Sequence, residues 1–115
     1  MTRKIPGFTL IELIIVVVLV LILGSVALVR YSSMIEKARS AEAYAVLADI
    51  AASENGYYVE YNAYTSTWAN LDRYTSAPLS ENFTFTLASN YAKATSTKGG
   101  NNYCMSFNGT KMTCP

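Results

Sequence analysis

Histidine is absent from this 115-residue chain, and only two cysteines, Cys104 and Cys114, are present. Without imidazole the commonest neutral-pH base and metal ligand is missing, and two thiols alone do not make a zinc site. There is no Ser-His-Asp set, no phosphate-cradling glycine loop and no cluster of metal-ligating side chains. No catalytic residue and no metal or other cofactor is therefore expected. Charge is scarce as well, with nine Lys or Arg against eight acids and a net charge of +1. That balance excludes a bulk pull toward nucleic acid or other polyanions. Acids stop at Glu81, and beyond it only Lys93, Lys98 and Lys111 carry charge, which reads as a solvated lysine face. Proline is confined to positions 6, 78 and 115, so none interrupts the chain between them.

What is present begins with an apolar run. From Phe8 to Val29 the chain reads FTLIELIIVVVLVLILGSVALV, with Glu12 as its one charge. As a helix these 22 residues rise about 33 Å, enough for a hydrocarbon core of about 30 Å. The many Val and Ile suit a strand, but the length exceeds any ordinary strand. Arg3 and Lys4 ahead of the run favour an N-terminus kept in the cytoplasm, with the rest of the chain exported. The small residues Gly24, Ser25 and Ala27 leave signal cleavage there conceivable, although no clean A-x-A site follows the run. Pro6-Gly7, just before Phe8, offers a second reading.

On these residues, a basic leader ending in Gly7 followed by Phe8-Thr9-Leu10-Ile11-Glu12-Leu13, the chain resembles the type IV pilin and pseudopilin family. The resemblance implies cleavage between Gly7 and Phe8 by a dedicated prepilin peptidase, N-methylation of the Phe8 amine, and retention of the apolar helix. A carboxylate inside lipid costs about 2.5 to 3.5 kcal/mol. Glu12 lies one turn from the processed end and can snorkel to the headgroups. The family reading instead pairs Glu12 with the Phe8 amine of a neighbouring subunit in the fibre. Many members carry a proline where this chain has Val29, and with that proline missing Gly24-Ser25 is the remaining weak spot.

Past Arg30 the chain stays helical in pattern and Ala-rich. Ala43, Val46, Leu47, Ile50, Ala51, Glu54, Tyr57 and Tyr58 fall at spacings of three and four and form one core-facing stripe. Asn55-Gly56 has the composition of a C-cap. The stripe continues through it, however, and the stretch from Glu54 to Leu71 resembles the family's segment in which tyrosines close the long helix. The helix is therefore expected to run to about Tyr61, at a cost of about 1 kcal/mol for the internal glycine. Residues 62–82 read as a polar loop packing Tyr64, Trp68 and Leu71 onto the helix. Alternation over Phe83–Leu87 and again over Tyr91–Thr95 predicts strands, with a turn at Gly99–Asn102. Further strands, Tyr103–Phe107 and Lys111–Cys114, flank Asn108-Gly109.

In an exported domain this small, two cysteines read as a disulfide, since its core is thin. A two-residue turn at Asn108-Gly109 places Cys104 opposite Thr113 and leaves Cys114 on the other face. A three-residue loop Asn108-Gly109-Thr110, or a bulge, places Cys104 opposite Cys114 and is the expected arrangement.

The expected architecture is thus α+β: a leader (1–7), a transmembrane and assembly helix (8–29), and a globular domain (30–115). In that domain the long helix packs on an antiparallel sheet of three to four strands. The resemblance implies a structural subunit of a type IV pilus, placed in the inner membrane before assembly and in a surface fimbrium afterwards. Its implied partners are further copies of itself in a helical homopolymer, the peptidase, the inner-membrane assembly machinery, and membrane lipid before assembly. DNA is the least supported partner. The alternatives are a pseudopilin of a type II secretion or competence system and, from another class, a single-span anchored binding protein or enzyme. The major secretion member of the family typically binds calcium through acidic C-terminal loops, and here no acid follows Glu81.

Overall fold

The computed structural model describes residue 3 and residues 5–115. Of the expected leader, Met1, Thr2 and the cation Lys4 lie outside the described residues. Two compact units divide the chain, Met1–Glu36 and Lys37–Pro115. A single helix, α1 (Leu10–Tyr61), contributes to both. It is unbroken at Gly24-Ser25, where the Ser25 hydroxyl donates to the Ile22 carbonyl at 2.7 Å.

The C-terminal part of α1 buries Ala43, Leu47, Ile50, Ala51 and Glu54, at the spacing of the expected stripe. Val46 and Tyr57 are half-buried and Tyr58 is exposed. Gly56 stays helical, and the stop is Asn62, whose φ of 55° is the left-handed conformation asparagine tolerates at a helix end. Its N–H donates to the Tyr58 carbonyl at 2.7 Å.

Residues 62–82 then return along α1, held by carboxylates of the helix at three levels. Glu54 accepts the Thr65 N–H at 3.0 Å. Asp49 takes the Arg73 guanidinium on one oxygen and the Tyr74 hydroxyl, at 2.5 Å, on the other. Burial and the bond to Asp49 push the Tyr74 phenol up to about 12. Glu42 accepts from the Ser80 hydroxyl at 2.7 Å and the Asn82 amide at 2.9 Å. Between these ties the short turn Trp68–Asn70 precedes Leu71, which is buried, and Tyr64 and Trp68 pack against the core as expected.

Four strands follow as an antiparallel meander in the order β1 (Phe83–Leu87), β2 (Tyr91–Ser96), β3 (Tyr103–Ser106) and β4 (Lys111–Met112). Alternation sends Phe83, Phe85, Ala92, Ala94 and Met105 into the core shared with α1. Of these, β2 supplies only alanines, and the bulk comes from its neighbours. Phe107, just past β3, completes this core with no exposed surface. On the other face Thr84 opposes Thr95 and Lys93 opposes Cys104.

The disulfide Cys104–Cys114 is present, with Cα atoms 5.2 Å apart, but the register beside it differs from the expectation. The three-residue loop is Phe107-Asn108-Gly109, one position earlier, closed by bonds from Gly109 N–H to the Ser106 carbonyl and from Ser106 N–H to the Thr110 carbonyl. Gly109 has φ 88°, so the loop is a tight turn ending in a left-handed residue that only glycine adopts readily. Cys104 therefore faces Met112, not Cys114. Cys114 lies two residues further on, keeping the same face by parity, and β4 stops at Met112 so that the tail reaches the bond.

Closing so short a loop contributes about 2 to 3 kcal/mol. Replacing both cysteines by serine is expected to lower the thermal midpoint of the full chain in detergent by about 10 °C or more. A melting curve superimposable on the oxidised wild type contradicts this.

Candidate assembly site at the start of the apolar helix

The apolar run that opens α1 has no protein to lie against. Every large side chain from Leu10 to Val29 is about half exposed or more, and none of its most apolar window, of mean hydropathy 3.1, is buried. Water does not tolerate such a surface, so lipid or another protein must cover it.

The helix starts at Leu10, two residues later than expected, because Thr9 caps it. The Thr9 carbonyl accepts the first helical bond, from Leu13 N–H at 3.3 Å. Glu12 Oε2 accepts the Thr9 N–H at 2.9 Å and the Thr9 hydroxyl at 3.1 Å, and the Glu12 N–H donates back to Thr9 Oγ1 at 3.3 Å. This reciprocal arrangement is a capping box, and it satisfies backbone donors that lipid could not. The signal Thr9-x-x-Glu12 was legible but obscured by the oddity of a charge in an apolar run. Glu12 thus has a local role that neither snorkelling nor inter-subunit pairing supplies. Phe8, next to the cap and 85% exposed, lies outside the helix.

Gly7 is not explained by packing, since a Cβ built there meets no atom within 4 Å. Its φ is not in the left-handed range either. A glycine that neither fold nor backbone requires points to recognition by something else. Among the described residues no group of three His, Cys, Asp or Glu gathers that could hold a metal.

Residues 2–28 match the family model of the prokaryotic N-terminal methylation motif. No curated protein and no solved structure matches the chain. The match spans Gly7, Phe8, the capping box and the apolar run as far as Leu28. The matched N-terminal motif, with one long N-terminal helix packed on a four-stranded antiparallel sheet, supports a precursor of the type IV pilin or pseudopilin type. Leader and apolar helix together mark it for membrane anchoring.

Proposed function

We propose that the chain is a structural subunit of a type IV pilus, cleaved between Gly7 and Phe8, methylated on the Phe8 amine, and polymerised through the apolar helix. The observation that carries this is the uncovered apolar surface of α1, with Glu12 at its start behind a glycine that folding does not require. In the membrane, lipid covers the run and the capping box accommodates Glu12. In the fibre, neighbouring copies replace the lipid, and the second carboxylate oxygen of Glu12, outside the capping box, receives the incoming Phe8 amine. The partners on this reading are further copies of the chain, a prepilin peptidase and the inner-membrane assembly machinery. The protein ends on the cell surface and catalyses nothing.

Cells carrying this chain as their only such subunit are expected to yield filaments in the sheared fraction, visible by electron microscopy and built of protein beginning at N-methylated Phe8. A stable membrane monomer with no filaments supports the single-span anchor instead. Gly7→Val tests processing alone, because the open surroundings of Gly7 leave the fold unaffected. It is expected to leave nearly all the protein as precursor on a membrane blot. Mature Phe8 termini at wild-type levels in that variant refute the cleavage site.

A further inference from the structure

The three carboxylates that tie residues 62–82 to α1 are not alike. Glu42 and Asp49 keep some contact with solvent, and each uses both oxygens in bonds to the loop. Glu54 has no exposed surface at all. One of its oxygens accepts the Thr65 N–H, and the other, Oε1, has no hydrogen-bond partner among the described residues. An ionised carboxylate in that position strands charge in an apolar interior, whereas a neutral acid does not.

Thr65 is the hub of the loop's first half. Buried itself, it accepts on Oγ1 from the Thr67 N–H at 3.1 Å and the Asn70 amide at 3.0 Å. The turn Trp68–Asn70, and the buried Leu71 after it, are thereby positioned from Glu54. We propose that Glu54 is a proton-gated latch on this half of the loop, closed as the neutral acid and loosened when the carboxyl ionises. The latch stands independently of the filament reading.

Desolvation raises the Glu54 carboxyl above the ordinary 4.5, with the single Thr65 bond acting against it and no charged side chain contributing. One turn on along α1 stand the phenols Tyr57 and Tyr58, and Tyr64 precedes Thr65 in the loop, while the acids Glu60 and Asp72 stand by Ser53 and Tyr57. From the sheet side the β3–β4 turn reaches this part of α1, where the Phe107 carbonyl accepts from the Asn55 amide and the Phe107 ring, which does not titrate, packs on Tyr64 at 5.0 Å. Asp49, five residues earlier on α1, is engaged by Arg73 and Tyr74. Because the folded-state value is raised, the latch contributes fully below 4.5 and is lost as pH rises through the raised value. Glu42 behaves oppositely. The Ser80 and Asn82 bonds lower it, so its tie is lost as pH falls. The two ends of the loop therefore loosen in opposite directions of pH.

Trp68, the one tryptophan of the chain, sits half-buried in the segment the latch holds, its ring 5.7 Å from that of Tyr74. The experiment follows Trp68 fluorescence of the full chain in detergent micelles from about pH 4 to about pH 9, alongside ¹³C NMR of the glutamate side-chain carboxyls. A red shift with rising pH is expected, with a midpoint above 4.5 that coincides with the Glu54 carboxyl titration. The shift is expected to vanish in Glu54→Gln and to persist in Glu42→Gln. A flat wild-type trace, a shift retained in Glu54→Gln, or a Glu54 carboxyl that titrates at or below 4.5 overturns the latch. Should Glu54→Gln fail to fold, coincidence of the two wild-type titrations decides alone.

Discussion

Glu12→Leu is expected to leave the protein correctly cleaved and abundant in the inner membrane while the filament yield falls at least about tenfold. A simple anchor predicts the reverse, because there the carboxylate is a cost of about 2.5 to 3.5 kcal/mol and leucine improves insertion. In a fibre, leucine strands each incoming Phe8 amine beside apolar neighbours. An unpaired charge in such surroundings costs several kcal/mol, and about 1.4 kcal/mol already suffices for the tenfold loss. The capping box adds a complication, since leucine also removes the acceptor for the Thr9 N–H. Glu12→Gln separates the two effects, because a Gln at this position of the box still accepts that N–H while carrying no charge. Impaired assembly in Glu12→Gln assigns the loss to the charge pair. Wild-type filament yield from Glu12→Leu, in a shear assay set beside a membrane blot, shows the pairing to be dispensable and returns Glu12 to the headgroups.

Where the chain has a period, its fold was legible. The stripe from Ala43 to Glu54 and the alternation of Phe83-Thr84-Phe85-Thr86-Leu87 each bury the faces they announce. The end of α1 was less local, since Asn55-Gly56 has the residues of a stop but Asn62 performs it. Past Gly56 the helix is accompanied by ring contacts, Tyr57 on Tyr61 and Tyr58 on Tyr64, against a glycine's roughly 1 kcal/mol. The hairpin register failed for a comparable reason. Asn108-Gly109 signals a turn, but whether the glycine sits inside the loop or at its last position decides the pairing of Cys104, and composition does not distinguish these.

The carboxylate ties of the loop were not legible at all. Glu42, Asp49 and Glu54 look like ordinary helix charges, and their partners lie between 11 and 40 residues away in a loop with no period of its own. The core stripe did include Glu54, but a position in a stripe does not reveal an oxygen left without a partner. At the candidate assembly site Gly7, Phe8 and Glu12 stand out individually in the sequence, whereas the link from Glu12 to Thr9 is local and inconspicuous. A charge in lipid poses its question at long range, and the nearest answer was three residues away.

Phe107 is the side chain whose loss should be felt most in the unit Lys37–Pro115. It is the largest fully buried one there, and it lies in the β3–β4 turn, not within a strand. Its backbone is held from two directions, the carbonyl accepting the Asn55 amide of α1 at 2.7 Å and the N–H donating to the Asn90 carbonyl at 3.1 Å. The ring thus packs in the core shared by α1 and the sheet, with the loop residue Tyr64 against it. Phe107→Ala is expected to cost about 3 to 5 kcal/mol, as aromatic truncations in rigid cores do. Small domains hold only about 5 kcal/mol or somewhat more in total, so the variant should be largely unfolded and rapidly degraded in cells. Phe107→Leu keeps most of the volume and is expected to lose much less, which separates a packing role from any special need for the ring. Thermal unfolding of both variants in detergent, with limited proteolysis beside it, makes the comparison. An alanine variant within about 1 kcal/mol of wild type would show that the turn repacks, and that the core closes without this ring.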